Sequence, residues 1–274
     1  MIIGARGRLG AALAGSAELG QVIAPDRSVY SSWTRPDAAD EVSTYLDHLP
    51  LQPESTRILV ASGVTDPALP YEDHERVNYI LPENVIRGAR RSGFKVATFG
   101  TIMEQMVSEH SPNNYLRSKL RLAQFVQDCC GTDTGVLHVR IHTLYGGGPP
   151  ATFMFLGQIC DAIARGARFE MSEGNQLREY HHVDDEVTAI AQLLGHDAGG
   201  IVELNHGEPI RLRDLAVHIF TAFGCLDRLA IGARPMAGPE NLHTVFQRPR
   251  LLEGVQFRDT RASVVDYLKA CVHQ

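Results

Sequence analysis

The sequence predicts an α/β fold, a doubly wound parallel sheet with a smaller C-terminal portion. Apolar runs of strand length alternate with longer amphipathic stretches through the first half of the chain, which is typical of βαβ units. One glycine-rich turn follows the first apolar run, and another, Gly146-Gly147-Gly148-Pro149-Pro150, interrupts the pattern after Tyr145. We therefore predict a core over residues 1–148 and a smaller portion, interleaved with that core, over residues 149–274.

The strands of the sheet are predicted from short runs that are apolar enough to be covered on both faces. After the start of the chain, these runs are residues 22–24, 57–62, 95–99 and 135–141. A later run, residues 201–204, is predicted to be a strand of the smaller portion. The predicted helices are residues 75–91, 114–129 and 212–223. The first of them is expected to end at Ser92-Gly93, because glycine readily takes the left-handed conformation that closes a helix.

The smaller portion contains one further strand and helix in this prediction. The strand ends at Val183, and the helix runs through residues 187–191. Asp184 or Asp185 is expected to cap this helix, since aspartate side chains accept hydrogen bonds from the first free N–H groups of a helix.

Composition excludes several classes of protein. With 44% hydrophobic residues among 274, the chain can bury a large core. Its net charge is −6 and its arginines are scattered among acidic residues, so no basic surface for nucleic acid is predicted. No stretch approaches the ~20 apolar residues that cross a bilayer. We expect a cytoplasmic protein without a membrane partner.

No metal site is expected either. The five cysteines are odd in number and lack metal-ligand spacing, which favours reduced thiols, and the adjacent Cys129 and Cys130 are interpreted as packing residues. His181 and His182 lie beside two aspartates, but adjacent histidines on a strand point to opposite faces and do not easily share one ion.

The first glycine-rich turn lies where the first strand is predicted to become a helix. A dinucleotide pyrophosphate binds backbone N–H groups at a helix N-terminus, and glycines remove the side chains that would block its approach. Three glycines at three-residue spacing therefore predict a Rossmann-type dinucleotide site, with an ordinary glycine-rich turn as the alternative. The residues predicted to contact the cofactor here are Gly4, Arg6, Gly7, Arg8, Leu9 and Gly10.

The end of the second predicted strand bears on the choice between NAD and NADP. Asp26 would accept hydrogen bonds from a free ribose 2′-hydroxyl, whereas Arg27 and Ser28 would hold a 2′-phosphate. All three are also ordinary turn residues. The sequence leaves NADP or NAD open, with a slight preference for NADPH.

Tyr115 and Lys119 lie four residues apart in the helix predicted over residues 114–129, so their side chains share one face. A phenol is a poor acid or base near neutral pH until a nearby ammonium stabilises its phenolate. The spacing therefore predicts a proton-transfer pair in which Lys119 lowers the pKa of Tyr115. The alternative is an unremarkable pair on a surface helix.

Together these motifs resemble the extended branch of the short-chain dehydrogenase/reductase family, which contains nucleotide-sugar epimerases, dehydratases and ketoreductases. The resemblance covers most of the chain. Beyond the glycine turn and Tyr-x-x-x-Lys, it rests on Ala61-Ser62-Gly63-Val64, the helix that contains Asn78, residues 140–146, and Arg178-Glu179-Tyr180-His181-His182-Val183-Asp184-Asp185. The last segment is similar to the branch's Arg-Asp-Phe-Ile-His-Val-Asp-Asp.

The resemblance implies roles for further residues. Thr101 takes the place of the family's third catalytic residue, with Thr98 as the alternative, and Arg178 is expected to meet the nucleotide diphosphate. The further cofactor contacts that the resemblance implies are Ala61, Ser62, Gly63, Thr98, Tyr115, Lys119 and His142. The implied substrate contacts are Thr101, Tyr115, Thr143 and Arg178.

Two departures from the family narrow the function. Dehydratases of the branch carry an Asp-Glu pair directly after the threonine, whereas Ile102-Met103 follow here. Glu104 is interpreted as a helix-start carboxylate rather than a base. The segment between Thr101 and Tyr115 is short, as in sugar 4-ketoreductases of the abequose-synthase kind. Thr143 stands where the family has a substrate-binding asparagine.

The resemblance therefore implies an enzyme that uses NAD(P)H to reduce a keto group on a nucleotide-linked deoxysugar, bound largely by the smaller portion. Tyr115 would donate the proton, and Thr101 would hold the carbonyl oxygen. The alternatives are an epimerase with tightly bound NAD and a non-catalytic NAD(P)-binding sensor or subunit. A homodimer is also implied, formed through a four-helix contact.

Overall fold

The computed structural model describes residues 1–130, 135–236, 238 and 240–272. The chain divides into two units. The first comprises Met1–Ile141 and Val187–Leu204, and the second comprises His142–Glu186 and Asn205–Gln274. The first unit ends before residue 148, where the sequence analysis placed the boundary, and includes a later segment because that segment supplies a strand to its sheet.

Short strands and longer helices alternate along the chain. In order, the strands are β1 (Ile2–Ile3), β2 (Arg57–Val60), β3 (Lys95–Thr101), β4 (Val136–Ile141), β5 (Thr143–Tyr145), β6 (Phe169–Glu170), β7 (Leu177–Arg178), β8 (Tyr180–His182), β9 (Gly200–Glu203), β10 (Ile210–Arg211) and β11 (Leu229–Ala230). The α-helices are α1 (Arg8–Gly15), α2 (Arg27–Tyr30), α3 (Ala39–Asp47), α4 (Tyr71–Glu75), α5 (Leu81–Arg91), α6 (Asn114–Cys130), α7 (Phe155–Ala164), α8 (Val183–Gly195), α9 (Leu212–Ala222) and α10 (Thr260–Val272).

The first unit contains a parallel sheet of five strands in the order β1-β2-β3-β4-β9. Consecutive residues of its inner strands are buried, as at Ile58, Leu59 and Val60 of β2. Because successive side chains of a strand point to opposite faces, both faces of the sheet are covered. The α/β class with a central parallel sheet, predicted from the sequence, is confirmed.

The strand predicted at residues 22–24 is wrong. This segment is extended but is not part of the sheet ladder, although the N–H of Ile2 donates to the carbonyl of Ile23 at 2.8 Å. Pro25 follows directly and has no N–H to continue a ladder. Gly20, with a φ of 65°, turns the chain just before the segment, which leaves it too short to pair further.

The helix predicted at residues 75–91 exists, but it begins earlier and is irregular. A π turn (Arg76–Ile80) joins α4 to α5. Pro82 lies in the first turn of α5. Because proline has no N–H to donate to the preceding turn, a regular α-helix cannot continue through it without losing a hydrogen bond. The predicted end is correct: α5 stops at Arg91, and Gly93 has a φ of 77°.

The second unit packs helices α7, α9 and α10 around an apolar core. This core includes Ile159, Leu215, Phe220, Val264 and Leu268. Three pairs of short strands accompany these helices in the described residues: β10 with β7, β11 with β6, and the parallel pair of β5 and β8. The helix predicted at residues 212–223 is confirmed as α9.

The prediction that Asp184 or Asp185 caps α8 is wrong. The helix begins at Val183, so both aspartates lie in its first turn, where a negative charge favours the helix dipole. Asp185 instead accepts a hydrogen bond from the backbone N–H of Arg258 at 2.9 Å. The preceding strand accordingly ends at His182, one residue before the predicted end.

Three cysteines, Cys160, Cys225 and Cys271, are free thiols. The side chains of Cys129 and Cys130 lie outside the described residues, so their interpretation as packing residues stays a prediction. Within the described residues, no group of three His, Cys, Asp or Glu side chains is arranged to hold a metal ion. No described helix is both long and apolar enough to span a membrane.

Candidate active site

The glycine turn between β1 and α1 is shaped by close backbone contacts. Gly4 has a φ of 91°, and a Cβ there would overlap the backbone of Ser62. A Cβ on Gly10 would overlap the carbonyl of Gly4. Gly7 is the N-cap of α1 and makes no side-chain cap, so the first N–H groups of the helix face the turn. This geometry suits a pyrophosphate at the helix N-terminus.

A cleft of about 530 Å³ opens beside this turn, within the first unit. Seven residues predicted from the sequence line it: Gly4, Arg6, Gly7, Arg27, Ala61, Ser62 and Gly63. The other nine predicted cofactor contacts do not line it: Arg8, Leu9, Gly10, Asp26, Ser28, Thr98, Tyr115, Lys119 and His142. Among these, Gly10 shapes the turn through its contact with Gly4, and Leu9 is buried.

Asp26 and Ser28 are engaged with each other at the start of α2. Oδ1 of Asp26 accepts hydrogen bonds from both the backbone N–H and the hydroxyl of Ser28, each at 2.9 Å. These bonds lower the pKa of the Asp26 carboxyl. Sequence analysis left open whether these were turn residues or ribose contacts, and here they form a helix cap. Arg27, between them, lines the cleft.

Two further arginines reach this cleft. Arg6 and Arg76 line it together with Arg27. Sequence analysis did not predict Arg76, which is in the π turn and distant in sequence from the other two. Because an arginine fork pairs well with phosphate oxygens, the three guanidinium groups favour an anionic ligand. Asp73 also lines the cleft, so its described lining carries three arginines and one aspartate, a balance that favours phosphate groups.

Tyr115 and Thr101 meet at the ends of α6 and β3. The Thr101 side chain favours the ionised phenol and so tends to lower the pKa of Tyr115. Burial and the negative charge of Glu104 nevertheless raise that pKa well above its ordinary value, and Thr101 opposes this only partly. The net shift is upward because those two effects dominate, and the expected lowering of the Tyr115 pKa by Lys119 stays a prediction.

Lys119 lies one helical turn beyond Tyr115 and is buried. Its Nζ donates to the carbonyl of Phe99 at 2.7 Å. A Cβ on Gly63 would lie 3.9 Å from the same Nζ, so the ammonium borders the loop that lines the cleft. Burial lowers the pKa of Lys119 to about 8, although Glu104 opposes the shift.

Asn78 links the cleft to the catalytic helix, a role that the sequence analysis did not assign. Its side-chain oxygen accepts from the N–H of Val64, and its nitrogen donates to the carbonyl of Val64, both at 2.9 Å. The same nitrogen donates to the Ser118 hydroxyl at 3.0 Å. The π turn places Asn78 at this buried position, and Pro82 in the sequence was the available signal for that irregularity.

A buried polar cluster lies beneath Thr101. Glu104 is 0% exposed and forms a capping box with Thr101 at the start of a 3₁₀ turn (Ile102–Met106), as a helix-start carboxylate should. It also accepts from Nε of Arg140 at 2.7 Å and contacts Nε2 of His138 at 3.2 Å. Thr98, the alternative catalytic threonine, is fully buried, with its hydroxyl 2.8 Å from Nδ1 of His138. Thr101, not Thr98, therefore meets the phenol.

The remaining predicted residues lie in the second unit. Arg178 pairs with Glu240 and donates to the carbonyl of Leu177 at 2.9 Å. Nε2 of His142 lies 2.8 Å from Oδ1 of Asn205, and burial lowers the pKa of His142 to about 4. Thr143 belongs to β5 and is partly exposed. These positions leave the predicted cofactor and substrate contacts of His142, Thr143 and Arg178 as predictions.

Two buried carboxylates enclose His181 in the same unit. Its Nδ1 lies 2.7 Å from Glu186, and its Nε2 lies 3.1 Å from Glu179. Burial alone would lower the pKa of His181, but the two carboxylates raise it to about 9. His182 faces elsewhere, because a Cβ on Gly146 would overlap its imidazole. The two histidines point apart, in agreement with their predicted arrangement.

One known protein family matches most of this chain. A family model described as the NAD dependent epimerase/dehydratase family matches residues 1–205. Among curated protein sequences, none matches the chain significantly.

Several solved structures share the fold over nearly the whole chain. A dTDP-4-dehydrorhamnose reductase from Clostridium acetobutylicum has 19% identity and a TM-score of 0.73, covering 98% of each chain. RMD from Pseudomonas aeruginosa, complexed with NADPH, has 18% identity and a TM-score of 0.72, covering 99% of this chain and 97% of its own. A UDP-N-acetylglucosamine 4-epimerase from Bacillus cereus has 15% identity and a TM-score of 0.69, covering 98% of each chain.

Proposed function

The chain belongs to the NAD-dependent epimerase/dehydratase family, and we propose that it uses NADPH to reduce a keto group on a nucleotide-linked deoxysugar. The family membership confirms the resemblance recognised in the sequence and the nicotinamide cofactor class. One observation carries the proposed reduction. Tyr115 and Lys119 lie one turn apart on α6, and the Lys119 ammonium borders Gly63 of the cleft, so the proton donor lies near the cofactor site.

The cleft residues supply the binding of the dinucleotide. Gly4 and Gly7 leave the N-terminus of α1 open to the pyrophosphate, and Arg6, Arg27 and Arg76 provide positive charge. When bound, reduced nicotinamide supplies the hydride. The preference for NADPH is supported by the arginines and by the neighbouring RMD structure, which was solved with that cofactor.

The state of Tyr115 supports reduction. A proton donor must be protonated before the reaction, and a phenol, with an ordinary pKa of about 10, meets this requirement at neutral pH. Burial and Glu104 raise the pKa of Tyr115 further, which makes it a weaker acid, so donation depends on stabilisation of the phenolate by its neighbours. As negative charge develops on the carbonyl oxygen, Tyr115 donates its proton there. Thr101 orients the phenol, and the ammonium of Lys119, one turn away, stabilises the phenolate that remains.

The surroundings of Glu104 argue against dehydration. Elimination of water needs an acid and a base beside the substrate. Ile102 and Met103 occupy the positions directly after Thr101, and Glu104 is fully buried in contact with Arg140 and His138. Its carboxylate is therefore not presented to a substrate. Among the activities named for similar folds, sugar reduction, as in dTDP-4-dehydrorhamnose reductase, agrees best with these residues.

The test is a reduction assay with the purified protein. NADPH is mixed separately with dTDP-linked and UDP-linked 4-keto-6-deoxysugars, and loss of the absorbance of reduced nicotinamide is followed. We expect oxidation of NADPH with at least one sugar, and a fall in kcat/KM of about 10²–10⁴-fold in Tyr115→Phe, because general acid catalysis is lost.

The matched control is Tyr71→Phe. Tyr71 stacks against Arg117 and does not line the cleft, so this variant should keep wild-type activity. Absence of turnover with every sugar would refute the proposal. Tightly held NAD, released only on denaturation and with no net NADPH oxidation, would instead identify an epimerase.

A further inference from the structure

Glu104 is a buried residue whose carboxylate contacts several groups next to Thr101. Its carboxylate accepts the backbone N–H of Thr101 at 3.1 Å and Nε of Arg140 at 2.7 Å. A Cβ on Gly100 would overlap both Glu104 and His138, so glycine at this position permits their approach. A buried charge with this many donors is held in one place.

Lys119 lies close to this carboxylate: its Nζ donates to the carbonyl of Phe99 at 2.7 Å, and the next residue, Gly100, packs directly against Glu104. The charge of Glu104 raises the pKa of the Lys119 ammonium and of the Tyr115 phenol. For Lys119 the effect opposes burial, which by itself would leave the amine less charged. The same carboxylate is fully buried and therefore does not contact a substrate.

We propose that Glu104 is a positioning residue, which fixes the backbone of Thr101 and supplies the negative charge that keeps Lys119 an ammonium. The roles of Thr101 and Lys119 rest on the proposed function. The groups that face Glu104 are His138 and Arg140 from β4, Tyr115 and Lys119 from α6, and the N–H of Thr101.

The arrangement explains how Lys119 can keep its proton although it is buried. Arg140 is also within 3.6 Å of Glu203, so its charge is shared between two carboxylates. Glu104 is thus only partly neutralised, although His138 and Arg140 keep its own pKa low against the effect of burial. The remaining negative charge of Glu104 raises the pKa values of Lys119 and Tyr115 on α6.

The test measures NADPH affinity, by the fluorescence of the bound cofactor, as a function of pH. Lys119 should hold NADPH less well as it loses its proton, so affinity in the wild type should fall as pH rises through about 8. Lys119→Met should abolish this midpoint. In Glu104→Gln the midpoint should move down by about one pH unit, as expected for a lost charge a few ångströms away.

Other variants separate charge from structure. Glu104→Asp keeps the charge and should restore the wild-type midpoint, while Arg140→Met leaves Glu104 less neutralised and should move the midpoint up. Glu83→Gln removes an equal charge from α5, where Glu83 pairs with Arg87, and should leave the midpoint unchanged.

The inference is overturned if folded Glu104→Gln binds NADPH with the wild-type midpoint. If that variant does not fold, an unchanged midpoint in Arg140→Met overturns it instead. The assay needs only the cofactor, so its result is distinct from that of the reduction assay. A protein that reduces no sugar but shows these shifts would refute the proposed function and retain the role of Glu104.

Discussion

Each unit buries carboxylates beside a histidine, but the two groups of residues do different things. In the first unit Glu104 contacts Arg140 and His138 and also acts on Tyr115 and Lys119. In the second unit, Glu179 and Glu186 enclose His181, and Glu179 also accepts the N–H groups of His206 at 2.6 Å and Gly207 at 3.0 Å.

The difference teaches that burial of a carboxylate is not by itself a sign of catalysis. Near ionisable groups that can react, its charge sets their protonation states. Where its partners are backbone N–H groups and a histidine, the charge mainly holds segments of the chain together. We therefore expect changes in the second unit to reduce stability, and changes in the first to alter binding and pH dependence.

The largest effect is expected from Glu179→Gln. The change removes the charge that pairs with His181 and weakens the acceptor of two backbone N–H groups, so the free energy of unfolding should fall by about 3 kcal/mol. Urea denaturation measures it. Glu173→Gln, at an exposed position 4.0 Å from Arg213, should change little. The proposed difference between the two units would be wrong if Glu179→Gln kept full stability but shifted the pH midpoint of NADPH binding.

A second prediction concerns the protonation of His181 and His142. His181 has a pKa raised to about 9, so its charge stabilises the fold fully below its unfolded pKa, about 6.5, and this contribution, on the order of 2 kcal/mol, is lost as pH rises through about 9. His142, with a pKa lowered to about 4, should stay neutral until pH falls to that value.

Imidazole resonances followed by NMR across this pH range measure both histidines directly. His181→Gln and His142→Gln assign the two signals. If the signals of His181 and His142 titrated together at about 6.5, the unperturbed value for histidine, the two carboxylates would not hold a charged histidine, and the contrast with Glu104 would disappear.

The smallest effect is expected in the first unit, from Arg27→Leu. Loss of one guanidinium from the cleft should reduce the preference for NADPH over NADH about tenfold, because one charge-assisted contact to the 2′-phosphate is removed. The ratio of the two dissociation constants measures it, with unchanged stability. Arg87→Leu, on α5 and outside the cleft lining, is the matched control. An unchanged ratio would show that Arg27 does not select the cofactor.

Much of the site followed from the sequence because it depends on short-range spacing. The glycine-rich turn between β1 and α1 contains Gly4, Gly7 and Gly10. One helical turn separates Tyr115 from Lys119. Local geometry is therefore enough to place each of these two groups of residues. The apolar runs at residues 57–60 and 136–141 likewise became parallel strands. The run at residues 22–24 did not, because Pro25 blocks the ladder.

Tertiary structure alone decided which distant residues act on these groups. The sequence determined the parallel-sheet class, the glycine turn and the Tyr115–Lys119 pair. It did not determine that Arg76 joins Arg6 at one cleft or that Asn78 faces Val64. Nor did it determine the pKa of Tyr115, which depends on burial and on Glu104. Electrostatic effects depend on distance and on exclusion of water, and both exist only after the chain has folded.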